Sequence, residues 1–555
     1  MADILISMGH VDELSIDHYK PSDPACFKLS NSCCCNIYGK SRTYNIVQEK
    51  EDLIIAIGYI SLLDGVSIQE TLSRILKTFH ESQIIDLKRR LIGEYILLIK
   101  KNGNIHIFSD FMGVRNIFYS TDGKFVASSY TLLEDLKETR TTDLDIFKLY
   151  EFIAMGHSIY PSWLGRSTYH KCINWLRPNE YLVIDKEKGN LRLCPISYYI
   201  DNEKQSNISL LSDELLSVLG KILARQEFKD QKVAASLTGG HDSRLIAAIA
   251  ANEFPNLRFR IAASSKNDDS LKDLKVASNL ARAQGIPLDV FWFQPGIDEA
   301  RFIKQTEGFS PVFNNTMAPL LDGAGTCSLG LGGAFGTELF MPIRWKSIEE
   351  FINAKINRAK QALMVGDEFW DIFRGSLYKD FDEIKKYYIL NNNDERDYIR
   401  LFYLTATARY GSFILSAFNQ AGFQLDPYAN YPVLELALRV SPVLWGDHRK
   451  LKGNSLVQKD AMAKVNPRMG RLTTYGYYRP MLPLSPKTFL RYLLGYTLHI
   501  ISYFLMNKFP GKGSLPKKSN LPGGGYYLSN GWENSFLRRT AEKYGLMVKP
   551  SINQN

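Results

Sequence analysis

Apolar residues in the first 200 positions occur in short runs that turn-forming residues separate. Three pairs of such runs predict β-hairpins, because apolar segments joined by a short turn rich in Asn, Asp and Gly tend to pair as antiparallel strands. Repeated hairpins predict antiparallel sheets that pack face to face. The predicted turns are Lys-Asn-Gly-Asn at 101–104, Thr-Asp-Gly-Lys at 121–124 and Lys-Gly-Asn at 188–190.

The pattern changes after a polar stretch at 201–207, which predicts a linker between domains. Apolar residues then recur at helical spacing from 211 to 222. Beyond this helix, short apolar strands alternate with helices, and the alternation predicts a doubly wound parallel sheet. From 348 to 449 the chain is expected to be largely helical. The predicted strands are 233–237, 259–263 and 287–292, and a helix is predicted at 273–284.

One segment, Thr-Gly-Gly-His-Asp-Ser at 238–243, joins a predicted buried strand to the start of a predicted helix. A helix start exposes unpaired N–H groups and the positive end of the helix dipole, and glycines let an anion approach closely. The segment therefore predicts a pyrophosphate-binding loop, in which Asp242 could hold the Mg²⁺ that accompanies a polyphosphate. A turn without a ligand is an equally open interpretation of this segment alone. It is not a Walker loop, because no Gly-Lys-Ser/Thr follows.

Composition is typical of a soluble globular protein, with 45% hydrophobic and 23% charged residues among 555. This length suffices for two or three domains. The net charge of +10 comes from basic residues spread along the chain, so we expect attraction for anionic ligands and no nucleic-acid binding. The Met1 end lacks the pattern of a signal peptide, and seven cysteines favour a reducing compartment, so we expect a cytoplasmic protein.

Three of the cysteines, Cys33, Cys34 and Cys35, are adjacent. A metal or acylation site is one interpretation, but adjacent cysteines chelate poorly, and buried or edge-strand thiols are favoured. Processing after Ser32, which would expose Cys33 as a nucleophile, is a disfavoured alternative.

The segment 489–509 is apolar and about as long as a membrane span, but Arg491, His499 and Asn507 interrupt it. A packed or surface-lying amphipathic helix is favoured over a spanning one. The tail beyond 510 is rich in Gly, Lys and Pro and is expected to be partly mobile.

Motifs between about 90 and 475 resemble those of the asparagine synthetase family. Gly93-Glu94-Tyr95 is similar to the family's Gly-Asp-Phe, 110–119 to its Arg-Asp-Pro-x-Gly-x-Arg-Pro-Leu-Tyr, and 173–178 to its Gly-Ile-x-x-Leu-x-Pro-Gly. The resemblance implies a glutamine amidotransferase-like domain over 1–200, a sandwich of the N-terminal nucleophile hydrolase type. That chemistry needs a cysteine directly after Met1, where this chain has Ala2, so the domain is expected to lack glutaminase activity.

In the second half, the 238–243 loop resembles the Ser-Gly-Gly-x-Asp-Ser loop of ATP pyrophosphatases, which implies an ATP- and Mg²⁺-binding synthetase domain over 208–480. The segment 332–340 is similar to the family's Ser-Gly-Glu-Gly-Ala-Asp-Glu-Leu-Phe, with Ala334 and Thr337 in place of two acidic residues. Glu338 is retained, and it either joins Asp242 as a metal ligand or only stabilises a helix N-terminus. The residues expected to bind ATP or pyrophosphate are Thr238, Gly239, Gly240, His241, Asp242, Ser243, Ala262 in the adenine-facing strand, Gly332 and Gly333.

Two further motifs complete the resemblance. The segment 427–437 is similar to Pro-Phe-Leu-Asp-x-x-Leu-x-Glu-x-Ala, with Asn430 for the Asp, and 448–468 is similar to a segment that supplies a charge-stabilising lysine. Lys450 and Lys459 are the catalytic candidates, and Lys452 competes with them. For His241, filling the loop turn is favoured over a role as a base.

The resemblance implies an asparagine synthetase-like ligase that activates a carboxylate as an acyl adenylate, releases pyrophosphate and transfers the acyl group to ammonia or an amine. The expected partners are a small-molecule or peptide carboxylate and an amine donor, in asparagine biosynthesis, peptide modification or a bacterial surface-polysaccharide pathway. A homo-oligomer and a helical extension at 485–555 are compatible with the sequence. Because acidic positions are replaced by Ala334, Thr337 and Asn430, a nucleotide-binding or scaffolding relative without catalysis stays open.

Overall fold

The structure is a computed structural model. It describes residues 3–8, 25–30, 33–38, 44–137, 143–160, 162–185, 190–224, 228, 231–265, 268–294, 297–298, 305–307, 309, 319–320, 327–361, 363, 365–418, 423–444 and 456–472. Antiparallel sheets occupy the first part of this range, and a parallel sheet with helices follows them.

Strands dominate the first 200 residues. Their bounds are β1 Asp3–Met8, β2 Ala25–Ser30, β3 Cys33–Tyr38, β4 Tyr44–Glu49, β5 Asp52–Gly58, β6 Ser61–Leu62, β7 Leu91–Ile92, β8 Tyr95–Lys101, β9 Asn104–Ser109, β10 Phe118–Ser120, β11 Phe125–Ala127, β12 Ile173–Trp175, β13 Glu180–Ile184, β14 Leu191–Pro195 and β15 Tyr198–Ile200. The helices between them are α1 Ile68–Thr78, α2 Ile84–Arg90, α3 Tyr130–Leu136 and α4 Ile146–Ser158, and a 3₁₀ turn covers Glu81–Gln83.

Twelve of these strands form two antiparallel sheets of six described strands each, while β6 pairs with β7 and β15 with the later strand at Tyr388–Leu390. The order is β12-β10-β11-β1-β3-β2 in one sheet and β14-β13-β9-β8-β5-β4 in the other. All three predicted hairpins are confirmed, because β8 pairs with β9, β10 with β11 and β13 with β14. In the first hairpin turn, Asn102 and Gly103 have φ angles of 52° and 85°, the left-handed conformation that an Asn-Gly turn supplies readily.

The two sheets pack face to face, as predicted. Alternate residues of β1 and β3, including Ile6 and Cys35, meet Ile55 and Leu98 from the other sheet in one buried cluster. Cys33 joins this cluster, so two of the three adjacent thiols are core residues, in agreement with the favoured interpretation. The three thiols belong to no metal-binding group among the described residues.

The second part is built on a parallel sheet, which confirms the predicted strand–helix alternation. Its described strand order is β18-β17-β16-β19-β21, and every neighbouring pair in it is parallel. Parallel strands bring all their carboxyl ends to the same edge of the sheet. The strand bounds are β16 Val233–Ser236, β17 Arg258–Ala263, β18 Leu288–Trp292, β19 Leu329–Leu331, β20 Tyr388–Leu390 and β21 Phe423–Leu425.

Helices surround this sheet and continue beyond it. Their bounds are α5 Ile208–Leu223, α6 His241–Glu253, α7 Asp268–Gln284, α8 Gly336–Phe340, α9 Ile348–Lys360, α10 Asp367–Tyr387, α11 Glu395–Phe418, α12 Tyr431–Arg439, α13 Leu456–Val465 and α14 Pro467–Arg471, with a 3₁₀ turn at Pro442–Leu444. The predicted helical region after 348 is therefore confirmed in its described part, although β20 and β21 interrupt it.

The polar stretch at 201–207, predicted as a linker, is anchored to the helical region. Asn202 is fully buried and donates hydrogen bonds to the carbonyl oxygen of Asn392 (2.7 Å) and the carboxylate of Asp397 (2.8 Å). Lys204 donates to the same carboxylate at 2.6 Å. Buried polar residues of this stretch are therefore paired within the fold.

Several sequence predictions fall outside the described residues: Lys450, Lys452, the apolar segment 489–509 and the extension at 485–555. Among the helices that the structure describes, none is long and apolar enough to cross a membrane.

Candidate functional site

The predicted phosphate loop lies at the carboxyl end of β16, the central strand of the parallel sheet. Its two ends are tied together, because Oγ of Ser243 lies 2.7 Å from Oγ1 of Thr238 and accepts the backbone N–H of Thr238 at 3.2 Å. The N–H of Gly240 donates to Thr238 Oγ1 at 3.2 Å. These bonds hold the loop in a tight turn that leads directly into α6.

The start of α6 faces this sheet edge without a side-chain cap. The N-cap residue is Gly240, which has no side chain to accept a hydrogen bond from the first turn. The described residues therefore leave the N-terminal N–H groups of a 13-residue helix available to an anion.

Asp242, in the first turn of α6, is half-buried and held on both carboxylate oxygens. Thr337 donates from Oγ1 to Oδ2 at 2.5 Å, and Gln458 donates from Nε2 to Oδ1 at 2.8 Å. Burial raises the pKa of this carboxyl group above its ordinary value, and the two donors oppose that rise. Both oxygens of the Asp242 carboxylate are thus held in place at the loop.

Glycines of the 332–340 segment allow this segment to lie directly on the loop. A Cβ at Gly333 would come within 2.6 Å of the Ser243 backbone nitrogen, and one at Gly336 within 2.6 Å of the Asp242 carboxylate. A Cβ at Gly332 would come within 2.0 Å of Oδ1 of Asp426. The two motifs that resemble the synthetase family therefore meet, and the close approach explains why glycine occupies these positions.

Glu338 lies beside this contact, in the short helix α8. Its Oε1 accepts a 2.8 Å hydrogen bond from the hydroxyl of Tyr160, which belongs to the first part of the chain. Burial raises the pKa of Glu338, and the negative charge of Asp242 raises it further. The two predicted metal ligands are therefore within electrostatic reach of each other.

No group of three or more His, Cys, Asp or Glu side chains among the described residues is arranged to hold a metal ion. Two carboxylates nevertheless fit Mg²⁺, which is usually bound by one or two carboxylates together with water and substrate phosphates.

His241 and Lys459 lie together at the loop. Burial, together with the positive charges of Lys459 and Arg244, lowers the pKa of His241 to about 3. A neutral imidazole next to two cations does not act as a base that gains a proton at neutral pH. Of the two predicted lysines, Lys459 is thus brought to the loop by α13, whereas Lys450 lies outside the described residues.

Arg244 is fully buried and forms hydrogen bonds with the backbone around the loop. Its guanidinium donates to the carbonyl oxygens of Gly239, Met469 and Leu472. From the other side, Asp273 on α7 accepts the N–H of Gly239. The loop is therefore anchored to two helices that are distant from it in sequence.

Two further residues that the sequence singled out, Ala262 and Asn430, lie in different parts of the structure. Ala262 lies near the carboxyl end of β17, next to the loop-bearing strand, where a ligand at this edge could reach it. Asn430, in contrast, accepts the N–H of Gly93 at 3.0 Å and donates to the carbonyl of Pro427 at 3.0 Å. Asn430, which stands where the family motif has an Asp, thus lies in the contact between the two parts of the chain.

Several polar residues at the site were missed from sequence. Gln458, Tyr160, Asp273 and Asp426 each donate to or accept from a predicted motif. Asp426 follows directly after an apolar strand, and this is a signal that sequence reasoning could have used. For Gln458 and Tyr160, no local pattern marks the contact.

No family model matches this chain, and no curated protein matches it in sequence. Solved structures do match parts of it. Glutamine phosphoribosylpyrophosphate amidotransferase from B. subtilis, complexed with ADP and GMP, is 15% identical over 54% of this chain and 64% of its own, with a TM-score of 0.20. The chain thus spans less than two thirds of the length of that protein.

Two further solved structures are similar over other shares of the chain. The U34-tRNA thiolase NcsA from Methanococcus maripaludis, with its 4Fe–4S cluster, is 13% identical over 35% of this chain and 78% of its own, with a TM-score of 0.20. An allosteric regulatory enzyme of purine biosynthesis is 13% identical over 64% of this chain and 72% of its own, with a TM-score of 0.21. Likeness at this level does not determine the activity of this chain.

Proposed function

We propose that this protein is an ATP-dependent carbon–nitrogen ligase of the asparagine synthetase type. It activates a substrate carboxylate as an acyl adenylate, releases pyrophosphate and transfers the acyl group to ammonia or to an amine. A small-molecule or peptide carboxylate is the substrate, in asparagine formation, peptide modification or a surface-polysaccharide pathway.

One observation carries the proposal: an uncapped helix start and a fixed carboxylate face the same edge of a parallel sheet. Ligands of open α/β sheets bind at the carboxyl ends of the strands. Backbone N–H groups at the start of α6 suit the phosphates of ATP, and glycines at 239 and 240 leave room for them.

Asp242 and Glu338 would hold Mg²⁺ with the nucleotide. When bound, the ion neutralises polyphosphate charge, which is the chemistry that this type of site requires. The raised pKa of each carboxyl group is consistent with a site that a cation completes.

The chain's own residues would then act on the leaving group. The N–H groups of the loop and the ammonium group of Lys459 stabilise negative charge that develops on the departing pyrophosphate. His241 stays neutral between Lys459 and Arg244, so it fills the turn and carries no proton in the reaction.

The amine donor is not glutamine-derived in this proposal. Of the adjacent cysteines, Cys33 and Cys35 are buried between the sheets, and burial raises the pKa of Cys33 to about 12. A thiol that stays protonated and inaccessible is a poor nucleophile. Release of ammonia from glutamine by the purified protein would contradict this point.

The test is exchange of labelled pyrophosphate into ATP in the presence of a panel of carboxylates. We expect exchange with at least one carboxylate, and a loss of about 100-fold or more in Asp242→Ala. Asp86→Ala, which changes an exposed aspartate on α2, is the matched control. Absence of ATP binding by the wild-type protein would refute the proposal.

A second candidate is a nucleotide-binding or scaffolding protein without catalysis. The observation that favours it is Thr337, whose hydroxyl occupies one oxygen of Asp242 where the family has a carboxylate. This alternative predicts ATP binding that Asp242→Ala weakens, together with no exchange for any carboxylate.

A further inference from the structure

A buried contact joins the first part of the chain to the sheet edge that bears the phosphate loop. Oε1 of Glu94 accepts the backbone N–H of Asp426 at 2.9 Å, and both side chains belong to residues that are 1% exposed. The two residues are 332 positions apart in sequence. Glu94 lies before β8 in the antiparallel sheets, and Asp426 follows β21 at the carboxyl edge of the parallel sheet.

From Asp426 the contact continues to the glycine segment. Oδ1 of Asp426 accepts the N–H of Ala334 at 2.9 Å. Gly332 lies directly against the same carboxylate, with no space for a side chain. Gly333 in turn rests on the Ser243 backbone of the phosphate loop. An uninterrupted series of contacts therefore runs from Glu94 to the loop.

A second hydrogen bond runs parallel to the first. The N–H of Gly93 donates to Oδ1 of Asn430 at 3.0 Å. The Gly93-Glu94 pair thus holds both ends of the turn that follows β21, between Asp426 and Asn430.

The charges around Glu94 favour a neutral acid. Burial raises the pKa of Glu94 well above its ordinary value, and the carboxylates of Asp426 and Asp110 raise it further, whereas Arg115 lowers it. Burial also raises the pKa of Asp426, which faces the guanidinium of Arg260. The Glu94–Asp426 pair therefore keeps a proton at pH values where isolated carboxyl groups have lost theirs.

We propose that Glu94 is a positioning residue for the nucleotide site: through Asp426 it fixes the 332–336 segment, which in turn fixes the 238–243 loop. The amidotransferase-like part of the chain is then a structural component of the adenylating site, even without glutaminase activity. This inference rests on the proposed function for its ligand, ATP, but the contacts themselves do not depend on it.

The experiment compares Glu94→Ala with Glu94→Gln in the full chain, using Mg–ATP binding and hydrogen–deuterium exchange. We expect Glu94→Ala to bind Mg–ATP about tenfold more weakly and to exchange faster at 332–337 and 238–243. Glu94→Gln retains the acceptor for the Asp426 N–H, so we expect it to restore both properties to near wild type. Glu51→Ala, which removes an exposed carboxylate, is the control.

A pH series separates positioning from a merely structural role. In the wild type, the stabilising proton is lost as pH rises through the raised pKa of the pair, so exchange at 332–337 should accelerate toward alkaline pH. Glu94→Gln has no such proton, and its exchange should show a weaker pH dependence. Should Glu94→Ala fail to fold, this comparison between wild type and Glu94→Gln still tests whether Glu94 positions the 332–336 segment.

The outcomes are distinct. Unchanged exchange at 332–337 in Glu94→Ala, or identical pH profiles for wild type and Glu94→Gln, would overturn the positioning role. Failure of the wild type to bind Mg–ATP would overturn the proposed function alone, because the exchange measurements on the nucleotide-free protein do not need a ligand.

Discussion

Two carboxylate pairs lie at the same edge of the parallel sheet and differ in what surrounds them. The closed pair, Glu94 and Asp426, is almost fully buried and accepts the backbone N–H groups of Ala334 and Asp426. The open pair, Asp242 and Glu338, is half-buried and held by side-chain donors, Thr337 and Gln458 for Asp242 and Tyr160 for Glu338.

The difference distinguishes a pair that holds chain segments together from a pair that could bind a cation. Backbone donors cannot turn away, so the closed pair fixes chain segments relative to one another. The open pair is only half-buried, so a metal or a phosphate-bound cation could reach carboxylates that side-chain donors already orient. Raised pKa values occur in both pairs, so a perturbed carboxyl group alone would not have distinguished the binding site from its support.

The largest effects are expected from glycine substitutions that break one pair or the other. In Gly332→Ala the added Cβ would collide with Oδ1 of Asp426, so we expect the free energy of unfolding to fall by about 3 kcal/mol. In Gly336→Ala the Cβ would come within 2.6 Å of the Asp242 carboxylate and 2.7 Å of the Asp242 Cβ, so the side chain proposed to hold the cation is displaced and Mg–ATP binding should fall more than it does in Gly332→Ala. Urea unfolding and nucleotide titration measure the two quantities.

Gly375→Ala is the control for these variants. Gly375 is exposed on helix α10, and a Cβ there would meet nothing within 4 Å. We expect a gain of about 0.5–1 kcal/mol, because alanine restricts the unfolded chain and favours helix. Equal losses of Mg–ATP binding in Gly332→Ala and Gly336→Ala would remove the distinction between the closed and open pairs.

A smaller effect is expected from Tyr160→Phe, which removes one donor from the open pair. The Tyr160 hydroxyl lowers the pKa of Glu338, so its loss should raise that pKa and leave less carboxylate at neutral pH. We expect about a fivefold increase in the Mg²⁺ concentration needed for half-maximal exchange, equivalent to about 1 kcal/mol. The acidic limb of the pH profile should move to higher pH. Tyr378→Phe, at an exposed tyrosine, should change neither, and equal Mg²⁺ requirements in both variants would exclude Glu338 as a ligand.

The smallest effect concerns the acid sensitivity of the loop. His241 has a folded-state pKa of about 3, so below pH ~6.5 the unfolded chain gains a proton that the folded one does not. Its stabilising contribution is present above that pH and is lost as pH falls toward 3. His241→Gln should therefore lose less stability than wild type between pH ~7 and ~5 in urea unfolding. The exposed His80→Gln should behave as wild type, and parallel curves for His241→Gln and wild type would show that His241 is not held neutral.

Local chemistry explains which elements could be predicted from sequence. The hairpin at Asn102-Gly103 and the turn at 238–243 depend on residues that are neighbours in the chain, and both were correctly located. The anchoring of the 201–207 stretch could not be predicted, because the partners of Asn202 lie at 392 and 397. The contact of Asn430 with Gly93 could not be predicted for the same reason, since Gly93 lies in the other part of the chain.

The sequence by itself determined the alternation of strands and helices, the sandwich, the parallel sheet and the phosphate-loop candidate around Asp242. These features arise from periodicity and turn residues, which act over a few positions. Only the tertiary structure decided that Lys459 lies close to His241, which donors orient Asp242, and that Glu94 contacts Asp426 at the carboxyl edge of the parallel sheet. Those contacts join residues tens to hundreds of positions apart, and burial and hydrogen bonding between such residues depend on how the sheets and helices pack.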